Sequence, residues 1–202
     1  MSIGPTDQLE EALRVARSML AELRADLLGH PTPCPSWDVR ALVDHMVRAP
    51  LVAVARMTGQ EPPPPAAAPA TGVGGAGSWE VGEVVAAHDR SAAAAIATFG
   101  TAGALERLVR FPFGTISGRR LRFFVASDQV VHTWDLAIAL GRPREVATEL
   151  SGRLLGEAAE MVTDDLRRAD GSGPYGPAQP APAGAGATDR LAAFLGRIVP
   201  PG

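Results

Sequence analysis

The chain has 202 residues, 46% of them apolar, and a formal net charge of −3 from 19 basic and 22 acidic side chains. That length suits one domain with a real core over residues 1–202, and the charge makes no bulk case for nucleic acid or an acidic membrane surface. Every residue in the Lys+Arg count is arginine and there is no asparagine, which excludes lysine Schiff-base chemistry and a Cys–His–Asn nucleophile.

One cysteine, Cys34, allows neither an internal disulfide nor a cysteine-rich zinc cluster, and a reducing cytoplasm is the expected setting. The opening Met1–Asp7 lacks the basic-then-apolar pattern of a signal peptide, and no apolar run is long enough to span a bilayer.

Thr6 is placed to cap a first helix, in which Leu9, Leu13, Ala16, Leu20, Leu23 and Leu27 form one apolar stripe until Gly29 and Pro31 stop it. His30 lies in that stop and is expected in solvent. Thr32–Asp38 follows as a rigid connector, with Ser36 or Asp38 as the next cap and Trp37 as a packing anchor. Cys34, between two prolines and without an evident base, reads as a small, partly buried thiol. The second helix runs from about Asp38 to Thr58, with Val39, Leu42, Val43, Met46 and Ala49 facing inward and His45 bordering that stripe. Pro50 cannot donate to the Met46 carbonyl, so a kink or opening is expected one turn after His45. Asp44 is expected to face solvent.

Residues 60–78, rich in Pro, Gly and Ala, read as a mobile loop. A third helix over about 78–99 sets Val81, Val84, Val85 and His88 on one face. His88 is a rival metal ligand, but the adjacent Asp89 and Arg90 indicate a wetter neighbourhood and a surface or hydrogen-bonded histidine. Leu105–Gly118 reads as a short extended excursion or hairpin, with Pro112 arguing against a central strand. That segment suits a lid or pocket wall, where Phe113, together with Trp37, would shape a cavity. Arg119, Arg120 and Arg122 cluster at the start of the fourth helix, where they either bind a carboxylate substrate or face solvent.

The fourth helix, over about 119–140, carries the chemistry. Asp128 and His132, four apart, stack on one face one turn apart, and Asp135 follows three residues later. A carboxylate and an imidazole at this spacing bind a divalent metal when a second helix supplies a third ligand, for which His45 is the candidate. The same spacing also serves an exposed ion pair or a hydrogen-bonded histidine. Leu121 and Val125 share the Asp128 face, while Phe124, Val131, Trp134 and Ile138 line the neighbouring one. Such a helix is central in a bundle and projects Asp128 and His132 inward. A helix over about 146–168, a second mobile Gly/Pro/Ala loop over 169–188 and a short helix over 189–197 complete the chain.

The stretch Thr32–His45 (TPCPSWDVRALVDH) resembles the helix-2 signature of the DinB-like superfamily that contains the N-terminal domain of mycothiol-dependent maleylpyruvate isomerase. Asp128–Ala137 (DQVVHTWDLA) resembles its second signature, and Tyr175–Pro180 with Leu191–Arg197 resembles the tail of a stand-alone actinobacterial, metal-binding subfamily. The resemblance covers nearly the whole chain. It implies an all-α, DinB-like four-helix bundle, here with an extra C-terminal helix and a short extended excursion before the metal-ligand helix. It also implies a divalent metal, zinc or nickel, held by His45, Asp128 and His132, with Asp135 orienting a ligand. Asp128 stands where the isomerase has glutamate, one methylene longer, so the metal would sit closer to this helix. No counterpart of the isomerase's additional C-terminal domain is expected in these 202 residues. The implied activity is that of a transferase or isomerase in which a low-molecular-weight thiol, mycothiol, meets a small electrophile at the metal's open position. Two other readings stand beside it. One is a metal hydrolase using Asp135 or Asp44 as base. The other is a non-catalytic metal- or small-molecule-binding protein whose shell His88 or Asp135 would close. A small-molecule substrate is the expected partner, and an apolar face on the first or fifth helix would permit a homodimer.

Overall fold

Four helices close into a ring around a shared interior. The computed structural model describes residues 5–35, 37–64, 80–111, 113–168 and 174–201, residues 5 and 6 by backbone alone. The ring consists of α1 (Pro5–Leu20), α2 (Val39–Thr58), α3 (Val81–Phe99) and α4 (Gly118–Ala139). Helix α1 packs on α3 and α4, and α2 packs on the same two. Two shorter helices, α5 (Thr148–Met161) and α6 (Ala187–Phe194), pack on each other and against α4. The architecture is all-α and DinB-like. Its single sheet among the described residues is an antiparallel hairpin of β1 (Leu108–Phe111) and β2 (Gly114–Ser117). The hairpin is the extended excursion expected before α4, with Val109 and Ile116 paired and turned into the core.

Local chemistry explains the boundaries. Asp38 caps α2 by accepting from the Ala41 amide at 2.8 Å, and Ser117 caps α4 by accepting from Arg120 at 3.3 Å. Glu80 and Glu83 form a capping box at the start of α3. Gly118 begins α4 at a point where a Cβ would come within 1.9 Å of the Ala104 carbonyl oxygen, so only glycine lets the hairpin return so closely.

Helix α4 is the centre of the molecule. From Leu121 to Ala137 every residue is buried except Asp128. One apolar cluster packs Leu9, Leu13, Leu150 and Leu191 around its Phe123 and Trp134. A second joins Leu20, Leu23, Leu28, Val39, Leu42 and Met46 to Leu136, and so fixes the first half of α2 against α4. Burial of such side chains contributes roughly 1.5–3 kcal/mol each.

Several helix ends and one loop differ from the sequence expectation. Helix α1 stops at Leu20 rather than after Leu27, and a 3-10 turn over Ala25–Leu27 takes the chain back to α2. Leu23 and Leu28 stay buried across that turn, so tertiary packing overrides a leucine stripe that carries no stop signal of its own. Because the first helix starts at Pro5, Thr6 falls inside its first turn. Helix α5 ends at Met161 and a 3-10 turn over Asp164–Leu166 follows. The described part of the second Gly/Pro/Ala loop is tied down, with the Tyr175 amide donating to Leu166 and the Gln179 amide to Ala193. Ser36, Pro112, residues 65–79 and residues 169–173 lie outside the described residues.

Candidate metal centre

The connector before α2 builds one wall of the site. The Thr32 hydroxyl donates to the Trp37 carbonyl at 2.8 Å and accepts from the Cys34 amide at 3.1 Å. The Trp37 amide donates to the Cys34 carbonyl at 3.0 Å. These bonds curl the loop so that Trp37 lies over two histidine rings, 4.7 Å from His45 and 5.3 Å from His132.

His45 comes from α2, one turn before Pro50. Proline leaves the Met46 carbonyl without its helical donor, and the Gln129 side chain of α4 donates to it at 2.9 Å. The Gln129 side-chain oxygen therefore faces His88 and accepts from His88 Nε2 at 3.2 Å. The helix runs on through Pro50 to Thr58 without a break. His88 is fully buried rather than in a wetter setting, and burial lowers its pKa, leaving a neutral ring committed to Gln129.

Asp128 stands between the two histidines. Its Oδ1 lies 2.9 Å from His45 Nε2 and 3.3 Å from His132 Nε2. The donor atoms of His45, Asp128 and His132 all fall within 4.8 Å of one another. Ligands on a common zinc at ~2.0–2.2 Å stand about 3–3.5 Å apart, so two imidazole nitrogens and a carboxylate oxygen so placed fit a divalent metal. Burial alone would raise the Asp128 pKa, but the charges and hydrogen bonds of His45 and His132 hold it far below the usual carboxylate range. Burial alone would lower the His132 pKa, but Asp128, Asp135 and Cys34 together raise it well above the ordinary value.

Behind His132 lies a second layer. Asp135, fully buried, accepts from His132 Nδ1 at 2.9 Å. Arg197 grips the same carboxylate, its Nε 3.0 Å from Oδ1 and its Nη2 2.9 Å from Oδ2. The same Nη2 donates to Cys34 Sγ at 3.1 Å. Cys34, His132 and Asp135 are also close enough to suggest a metal site. The guanidinium lies between sulfur and carboxylate, however, and already supplies the positive charge that a cation would bring.

Of the expected substrate contacts, Trp37 lies against the trio. Phe113 packs on Phe124 at 6.1 Å, four residues before Asp128, and reaches the outer wall. Arg119 is exposed at the start of α4, about two and a half turns from Asp128. Arg122 is a correction: it is fully buried and donates to Gln8 on α1 at 2.6 Å and to Glu157 on α5 at 3.0 Å, so it ties helices together and meets no open surface. Tyr175 was not singled out as a site residue. It packs on Phe124 at 5.8 Å, and burial with the charge of Asp128 pushes its hydroxyl pKa upward.

Residues 9–137 match the family described as the mycothiol maleylpyruvate isomerase N-terminal domain. The chain belongs to that family. The family segment holds His45, Asp128, His132, Asp135, Cys34 and Trp37, whereas Tyr175 and Arg197 lie beyond it. Two relatives from Mycobacterium tuberculosis, "Uncharacterized protein Rv0738" of strain H37Rv and "Uncharacterized protein MT0763" of strain CDC 1551, are each 33% identical over 183 residues, covering 90% of this chain and 91% of theirs. No solved structure matches significantly. No helix among the described residues is long and apolar enough to cross a membrane.

Sequence reasoning missed Gln129, Arg197 and the place of Cys34. Only Gln129 carried a signal, as a polar side chain amid an apolar helix run, and that signal does not name its partner.

Proposed function

We propose that this protein is a metal-dependent transferase or isomerase that uses a low-molecular-weight thiol, mycothiol, on a small electrophilic molecule. The observation that carries the reading is the His45–Asp128–His132 trio. It converges at the one place where the buried run of α4 opens toward solvent. Membership of the mycothiol maleylpyruvate isomerase N-terminal domain family supports the thiol.

Two nitrogens and one carboxylate oxygen suit zinc and leave room for an exogenous ligand. A divalent metal there supplies a Lewis acid that favours the thiolate of a bound thiol. The chain's own residues do the rest. His132 is held by Asp135, which fixes its ring. Trp37 covers both imidazoles and limits the approach of water. Phe124 and Tyr175 line the adjoining turn of α4 with apolar surface and one protonated hydroxyl.

The hydrolase reading needs a base beside the trio. Asp135 is turned to the far side of His132 and taken up by Arg197, which disfavours it. The closed-shell reading needs His88 or Asp135 as a further ligand, and both are engaged elsewhere.

The test is turnover of maleylpyruvate and of an electrophilic haloarene by zinc-loaded protein, with and without mycothiol. The reading expects turnover that needs both metal and thiol. Turnover that persists without thiol, or thiol-dependent turnover unaffected by chelation, contradicts it.

A further inference from the structure

We infer that Arg197, from the C-terminal tail, is a positioning residue that holds His132 in the orientation the metal centre requires. The inference rests on the metal reading above. Asp135 is fully buried, and its carboxylate meets His132, Arg197 and Cys34. A buried carboxylate persists only when paired and hydrogen-bonded. The fork of Arg197, with contacts of 2.9–3.2 Å to both oxygens, sets the plane of that carboxylate. The carboxylate then sets the His132 ring, with Nδ1 as donor to Asp135 and Nε2 turned to Asp128. The chain runs from guanidinium to carboxylate to imidazole to metal.

The tail is built to deliver this side chain. Helix α6 ends at Phe194, and Gly196 follows with φ of 100°. A Cβ there would come within 3.0 Å of the Gly176 backbone, so two chain segments cross at a point that only glycine permits. The Arg197 amide donates back to the Ala192 carbonyl at 2.9 Å, which fixes the launch point of the guanidinium. The Nη2 contact to Cys34 also ties the tail to the loop that carries Trp37. Arg197 thus reaches the carboxylate behind His132 and the loop that carries Trp37 from outside the family segment of residues 9–137.

The test compares full-length wild type with R197Q, R197K, D135N and the D135N/R197Q double variant. Zinc dissociation constants are measured by competition with a chromophoric chelator, and melting temperatures on the metal-free proteins. Loss of an outer partner of a metal-bound histidine typically weakens the metal 10–100-fold, and R197Q and D135N are expected in that range. R197K, which keeps the charge but not the fork, is expected to recover part of the loss. The double variant is expected to be no weaker than the weaker single variant, because both act through one chain of contacts. A lowered metal-free melting temperature with wild-type zinc affinity would make Arg197 merely structural and overturn the inference. A wild type that takes up no zinc sinks the metal reading and the inference with it, a failure distinguished by appearing before any substitution is made.

Discussion

Asp128 lies between His45 and His132, and at His132 Nε2 a proton and the proposed metal would compete for the same atom. In metal-free protein the pairing is electrostatic. His132 has its pKa raised on folding, so its contribution is full below the ordinary value of 6.5 and is lost as pH rises through the raised one. Asp128 has its pKa depressed, so its contribution is present above the ordinary 3.8 and is lost only as pH falls through the depressed value. Metal binding runs the other way, because it needs His132 Nε2 free of a proton. Metal-free protein should therefore lose melting temperature as pH rises above neutral, while the gain on adding zinc grows over the same range. Calorimetric scans of both forms from weakly acidic to weakly alkaline pH check this, and a zinc gain that shrinks with rising pH contradicts it.

At the scale of elements, the proline inside α2 and the polar residue in α4 are two halves of one feature. Gln129 supplies the donor that Pro50 removes and the acceptor that His88 needs. Q129L should cost about 1–3 kcal/mol for each buried group left unpaired, measured by urea unfolding. The cost should be smaller in a P50A background, where a main-chain N–H again serves the Met46 carbonyl. Equal costs in both backgrounds would show that the proline and the glutamine are unrelated. The orphaned carbonyl was legible in the sequence because a helical proline has a fixed consequence. Its partner was not, because that depends on how α4 rotates against α2. Arg122 shows the same limit: three arginines at a helix start read as a possible anion site, yet one is swallowed by Gln8 and Glu157 of helices distant in sequence. The leucine stripe of α1 was legible as a buried face, but its turn after Leu20 was not.

For the whole molecule, the helices and the central place of α4 followed from periodicity and from a helix apolar on two sides, while their closure into a four-helix bundle followed from the resemblance. The face shared by Asp128 and His132 was legible from spacing. Their meeting with His45 came from the resemblance, since spacing left other uses of the pair open. The tail's part in the site was not legible, because nothing local in Leu195–Arg197 marks a partner 62 residues away at Asp135. A metal that joins α2 to α4 stabilises the whole bundle by mass action. At a hundredfold excess over its dissociation constant the gain is about 2.7 kcal/mol. For a chain of this size that is about 5–10 °C of melting temperature, and chelation should remove it from wild type but not from H45A. The most direct test of the metal centre is elemental analysis of untagged protein purified without chelators, beside H45A and H132A. Close to one zinc or nickel per chain in wild type, lost in both variants that still fold, is the expected result. A metal-free wild type that also fails to take up metal on reconstitution would contradict the metal centre itself.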